Sequence, residues 1–197
     1  MLTCLKTEMR RIVEEIRGDI EREAAQKDSF IVAIDGRCAS GKTTVAAELA
    51  RLLHANLIHM DDFFLRKEQR IPERLAIPGE NIDHERFLEE VLIPLKSGKP
   101  FAYRPFSCTC QEFRHSISVT PTTITIVEGS YACHPKLRNY YDRRIFMTVH
   151  PEEQMHRLYM RDGDYAEVFR DKWIPLEELY IANCGVLDCC DRVYEMK

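Results

Sequence analysis

The chain has 197 residues, enough for one domain with a sheet covered on both faces and no reason to divide it in two. Hydrophobic residues make up 45% and charged residues 30%, the balance of an ordinary globular protein, which excludes a disordered chain. A formal net charge of -4, with Lys and Arg interspersed among Asp and Glu, argues against a nucleic-acid binder, and no apolar run approaches membrane-spanning length. The eight cysteines form no CxxC pair, so free thiols in a reducing cytosol are expected. A metal site would instead require Cys184, Cys189 and Cys190 to meet Cys108, Cys110 or His134 in space. The segment from Met1 to Asp28 is punctuated by charge, unlike a signal peptide, and a cytoplasmic protein without membrane contact is expected.

In chain order, Leu5, Met9, Ile12, Val13, Ile16 and Ile20 recur at helical spacing with charged residues between them. Residues 1–28 thus read as an amphipathic helix packed on the core, with a homodimer contact as its other use. Phe30-Ile-Val-Ala-Ile-Asp35 is a continuous apolar run closed by an acid, followed by a glycine-bearing turn and a helix-forming stretch from Thr43 to Leu53. Further strands are expected at 56–60, 123–128, 144–149 and 192–196. Helices are expected from His84 to Leu95, after Pro151 and after Pro175, prolines being suited to a helix start. This alternation predicts an α/β fold, a five-stranded parallel sheet with helices on both faces. Residues 64–122 lack clear strand character and are too long for a simple loop, so a substrate-covering insertion with its own helix is expected there.

Gly36-Arg37-Cys38-Ala39-Ser40-Gly41-Lys42-Thr43 matches GxxxxGK[ST], and it lies between the first strand and the helix that continues through Thr44. Its glycines let successive N–H groups curl toward phosphate oxygens, and the helix N-terminus adds partial positive charge. Lys42 is expected on the outer phosphates of ATP or GTP and the Thr43 hydroxyl on Mg²⁺. No NKxD or DxxG motif accompanies the loop, against a GTPase. Instead Asp61-Asp62-Phe63-Phe64 follows the second strand, where an acid points into the ligand crevice of such sheets. It can take a proton from an attacking hydroxyl or hold Mg²⁺; capping the next segment is the plainer use of the pair.

Together these features resemble the uridine kinase and phosphoribulokinase family of P-loop kinases, which includes nicotinamide riboside and pantothenate kinases. The resemblance runs from Phe30 onward and implies a P-loop kinase domain over 29–197, within a single domain overall. It implies that Asp61 is the catalytic base, with Asp62 second, and that Glu128, in Ile126-Val127-Glu128-Gly129, helps to order Mg²⁺. Asp83, in Asn81-Ile82-Asp83-His84, would hold acceptor hydroxyls, although it is equally a helix N-cap. Tyr103 would contact the acceptor or serve as a core aromatic. Arg157 and Arg161, one face of a helix, would hold transferring phosphate oxygens from the lid, pairing with Glu152 or Glu153 being the alternative. Two positions depart from uridine kinases. Cys108 and Cys110 stand where those enzymes have a histidine and a basic residue, and Gly163 to Glu167 replaces a lid richer in arginine. The function implied is an ATP-dependent kinase for a hydroxyl of a nucleoside, nicotinamide riboside, pantothenate or a sugar. A nucleotide-binding regulator or plain NTPase stays open beside it.

Overall fold

The computed structural model describes residues 2–197, with side chains from Thr7 onward, so Leu5 lies outside the described side chains. Five strands form one parallel sheet: β1 (Phe30–Gly36), β2 (Asn56–His59), β3 (Ile124–Glu128), β4 (Arg143–Val149) and β5 (Arg192–Met196). Their order is β2-β3-β1-β4-β5, and every pairing is parallel. The first strand is apolar on both faces because both faces are covered. Phe30, Val32 and Ile34 meet the helices α1 (Leu2–Ala24) and α2 (Lys42–Leu53) through Ile12, Ile16, Ile20, Val45 and Leu49. Ile31 and Ala33 point the other way, into a second core with Phe63, Phe87, Leu92, Phe146 and Tyr180. Each fully buried Ile, Leu or Phe contributes about 1.5–3 kcal/mol, so α1 is held by its apolar stripe. An ion pair from Arg143 to Asp19 at 2.8 Å fixes its orientation.

Two further helices flank the cleft, α3 (Pro151–Asp162) and α4 (Ile174–Asn183). Pro151 starts α3 as its position predicts, but Pro175 lies inside a helical run that is already under way. The run absorbs it through a wide, i→i+5 turn at Phe169–Trp173. Pro94 is accommodated in the same way by a wide turn at Leu88–Leu92, within the helical stretch 84–97. A proline ring clashes with the carbonyl four residues back, and a widened turn relieves that clash.

Residues 64–122 form the insertion, and it holds strands that the residue pattern does not reveal. Phe101–Tyr103 pairs with Ile117–Val119, and Phe106–Ser107 with Glu112–Phe113, all antiparallel. At two or three residues each they are too short for alternation to register. The thiols are free among the described residues. Cys189 and Cys190 come together with Cys133 rather than with Cys108, Cys110 or His134, so the metal set required by spacing does not form.

Asp35 lies near the C-terminal end of β1, bonded to residues of the second core. Its buried carboxylate accepts the N–H groups of Gly36 (2.6 Å), Tyr131 (3.1 Å) and Cys133 (2.8 Å) and the hydroxyl of Tyr180 (2.7 Å). Burial raises its pKa from 3.8 to about 6, against the opposing pull of Cys133, Tyr180, Lys42 and Gly36. Because the folded value lies above the unfolded one, this group's contribution is full below about pH 4 and is lost as pH rises through about 6. Replacing Asp35 by Ala strands four buried donors at roughly 1–3 kcal/mol each. We expect urea unfolding of Asp35→Ala to show a loss of at least about 3 kcal/mol. The pH 4–7 dependence carried by this group should vanish with it; an unchanged midpoint and slope would refute the assignment.

Candidate active site

The loop from Gly36 to Thr43 curls as its glycines allow. Gly36 has φ 145° and approaches β4 so closely that a Cβ there would lie 1.9 Å from the Met147 carbonyl oxygen, while Gly41 enters α2 at φ 90°. No side chain larger than hydrogen fits at Gly36. Lys42 is buried and folds back on the loop, donating to the carbonyls of Gly36 (2.7 Å) and Arg37 (2.8 Å). Cys38 to Thr44 line a cleft of about 760 Å³, whereas Arg37 at the loop's root pairs with Glu178 at 2.6 Å and reaches Thr148 at 2.8 Å.

Across from the loop stand the acids. Glu128 ends β3 beside His59, the last residue of β2 and its register partner. Its Oε1 lies 2.5 Å from His59 Nδ1 and its Oε2 accepts the Thr43 hydroxyl at 3.1 Å. The hydrogen bond to Glu128 raises the His59 pKa, more than burial lowers it. Asp61 and Asp62 occupy a single 3₁₀ turn, Met60–Phe63, immediately after β2. Asp61 opens onto the cleft, but protein surrounds it on most sides. That desolvation, together with Glu128, raises its pKa, while Lys42 and His59 work against the rise. Asp62 is half-buried and accepts the Tyr103 hydroxyl at 3.3 Å.

Arg157 and Arg161 both reach the cleft. Arg157 also pairs with Glu153 at 2.7 Å and donates to the Ala39 carbonyl at 3.3 Å, so pairing and loop contact coexist. Arg161 pairs with Asp162 at 2.8 Å and lies over Phe169. Asp83 and Tyr103 lie behind the cleft wall. Asp83 is an N-cap, accepting the Arg86 N–H at 3.2 Å and the Gln69 side chain at 2.9 Å. Tyr103 packs against Phe63 in the core with its hydroxyl on Asp62. The structure thus brings the phosphate loop, Asp61, Glu128, Arg157 and Arg161 around one cleft and seats the other two behind it.

No family model matches the chain. A chloroplastic uridine/cytidine kinase of Arabidopsis thaliana is 30% identical over 153 residues, 70% of this chain and 30% of that protein. Nicotinamide riboside kinase 1 of Homo sapiens is 32% identical over 138 residues, 66% of this chain and 63% of that one. A possible uridine kinase from Bacillus stearothermophilus superposes with a TM-score of 0.71 over 95% of this chain and 99% of its own, at 18% identity, which carries the fold. The chain resembles the uridine kinase-like P-loop kinases in sequence and in fold. It spans about a third of the length of the plant relatives and under two thirds of the human one.

Within this family frame, one acid of the cleft was not singled out in the sequence. Glu177 of α4 is buried, accepts the Cys38 N–H through both carboxylate oxygens (2.9 and 3.0 Å) and the Ser130 hydroxyl at 2.8 Å. Burial raises its pKa, opposed by Lys42 and these two donors. Its signal was present: Glu177, Tyr180 and Ile181 share one buried helix face, and a carboxylate in such a stripe needs a partner. His59 was missed because its partner Glu128 is remote in sequence. The imidazole of His59 should hold its proton to higher pH than free histidine, and Glu128→Gln should lower that pKa. Nitrogen-detected imidazole NMR titrations of both forms read this directly, and superimposable curves would show that Glu128 does not act on the ring.

Proposed function

We propose that this chain is an ATP-dependent kinase that moves the terminal phosphoryl group of a nucleoside triphosphate onto a hydroxyl of a small molecule. The observation that carries the reading is the placement of Asp61, which forms no ion pair among the described residues, in the same cleft as a complete phosphate loop. A hydrolytic switch has no use for a base facing an acceptor wall. By their names the relatives are kinases of uridine, cytidine and nicotinamide riboside, which supports a nucleoside-like acceptor.

In this reading the free backbone N–H groups between Ala39 and Thr43 cradle the phosphates, and Lys42 exchanges its carbonyl partners for phosphate oxygens. Arg157 and Arg161 hold charge that develops on the transferring group, a role suited to the guanidinium fork. Asp61 accepts the proton of the attacking hydroxyl. Thr43, Glu128 and Asp61 form the hard-oxygen donor set that Mg²⁺ prefers, the first two already in contact. When bound, the ion supplies charge neutralisation at the phosphates. Tyr103 and Asp83 support the acceptor wall from behind, Tyr103 by orienting Asp62 and Asp83 by starting the helix beneath it. Unbonded thiols suit a cytoplasmic location.

Asp61→Ala should lower acceptor-dependent turnover by roughly 10²- to 10⁴-fold while Mg-ATP still binds. In the wild type the acid limb of the rate profile should lie above the usual carboxylate range, since Asp61 must be ionised to act and its pKa is raised. ADP release with uridine, cytidine, nicotinamide riboside, pantothenate and simple sugars, with product mass, tests the reading. Near-normal turnover of Asp61→Ala would transfer the role to Asp62, and slow ADP release indifferent to every acceptor would mark a nucleotide hydrolase.

A further inference from the structure

Four basic side chains line the cleft: Lys42, Arg70, Arg157 and Arg161. Arg157 is paired with Glu153 and Arg161 with Asp162. Lys42 has no carboxylate within 4 Å among the described residues, as befits a group kept for phosphate. Arg70 has none either, and it stands on the wall built by the 64–122 insertion, not on the phosphate loop. Other arginines of that insertion are paired with acids, Arg66 with Glu68, Arg74 with Glu80 and Glu85, Arg86 with Asp83 and Glu90, and Arg104 with Glu90, while Arg114 donates to the Ser107 hydroxyl at 3.4 Å and does not line the cleft.

The half-buried guanidinium of Arg70 makes two side-chain contacts, Nε to the Leu65 carbonyl at 2.9 Å and Nη2 to the Cys108 sulfur at 3.2 Å. Five N–H donors are available on such a group, and a thiol is a weak acceptor. The carbonyl bond holds the side chain in place and leaves the outer fork for a ligand. A planar fork of this kind matches the two oxygens of a carboxylate or phosphate. Of the acids of the cleft, Glu128 is committed to His59 and Thr43 and Glu177 to Cys38 and Ser130, and Asp61 makes no ion pair with Arg70. A neutral acceptor filling the cleft would strip water from Arg70 and return no counter-charge, which is costly for a cation. We propose that the acceptor carries an acidic group, carboxylate or phosphate, beside the hydroxyl that is phosphorylated, and that Arg70 is the residue that selects it.

This inference rests on the kinase reading, and the test separates the two. Mg-ATP-dependent ADP release is measured with pairs that differ in the acid alone: glycerate and glycerol, pantothenate and pantothenol, ribose 5-phosphate and ribose, uridine 5′-phosphate and uridine. The acid member of at least one pair should be turned over with kcat/KM well above its neutral partner. The carboxylate and phosphate pairs tell which acid is read. Arg70→Gln should lower kcat/KM for that acid by roughly 10- to 100-fold, mostly through KM, with affinity for Mg-ATP retained as the check on folding. Arg70→Lys should recover part of the loss. Preference for the neutral members, turnover of none of the acids, or an Arg70→Gln variant that treats the acid as the wild type does would each overturn the assignment. Turnover of a neutral compound in those cases would leave the kinase reading standing.

Discussion

The Asp35 carboxylate is the point on which the cleft depends. A parallel sheet delivers its strand ends to one edge, but the loops that leave that edge have no reason of their own to stay together. Asp35 joins three of them through four accepted hydrogen bonds: one from the root of the phosphate loop at Gly36, two from the turn after β3 at Tyr131 and Cys133, and one from α4 through Tyr180. Apart from Gly36, its donors lie 96, 98 and 145 residues from Asp35 along the chain. With Gly36 pressed against Met147 in β4, the loop is fixed from both sides. The shape presented to a polyanion is therefore a consequence of how β1 ends.

A second layer of constraint runs through α4. Glu177 holds the Cys38 N–H while Glu178 holds Arg37, so adjacent residues of one helix grip adjacent residues of the phosphate loop. Since α4 follows the segment that carries Tyr165, Phe169 and Trp173 into the cleft, any shift of that segment is felt at the loop. Buried polar groups in such a network are satisfied in full or they destabilise it, which holds α4 in register with the loop.

Much of this was legible because its determinants are local. The phosphate loop, its strand and its helix occupy consecutive residues, and glycine, lysine and threonine at that spacing serve one chemistry. The acid after β2 and the acid closing β3 could be read as cleft residues because strand ends in a parallel sheet share an edge. What stayed hidden depends on contacts between distant segments. His59 gains its meaning only beside Glu128, Glu177 only beside Cys38, and Arg70 only from the absence of an acid near it. The hairpins of the insertion were invisible for another reason, being too short to print a period, and the two wide helical turns were masked because a proline in sequence marks a helix start as readily as a kink. At Asp83 the plain alternative, an N-cap, is visible in the sequence and is the contact that the structure displays.

The charges that line the cleft are balanced by the protein itself at one end and left open at the other. At the phosphate end Lys42 rests on two carbonyls, Glu128 on a histidine and a threonine, and Glu177 on backbone N–H, so the groups stay oriented without a ligand. Neutral carbonyls are weak competitors for an ammonium compared with phosphate oxygens, so Lys42 can exchange partners with little rearrangement, which is preorganisation in the sense that matters for charge stabilisation. On the insertion wall the same economy is absent, because Arg70 has one carbonyl and a thiol where its neighbours have carboxylates. An insertion that pairs Arg66, Arg74, Arg86 and Arg104 with its own acids and leaves Arg70 open sets an unpaired cation in the cleft, where a ligand can reach it. In the kinase reading, specificity for the acceptor falls to the insertion wall, while the loop anchored by Asp35 at the sheet edge handles the phosphates.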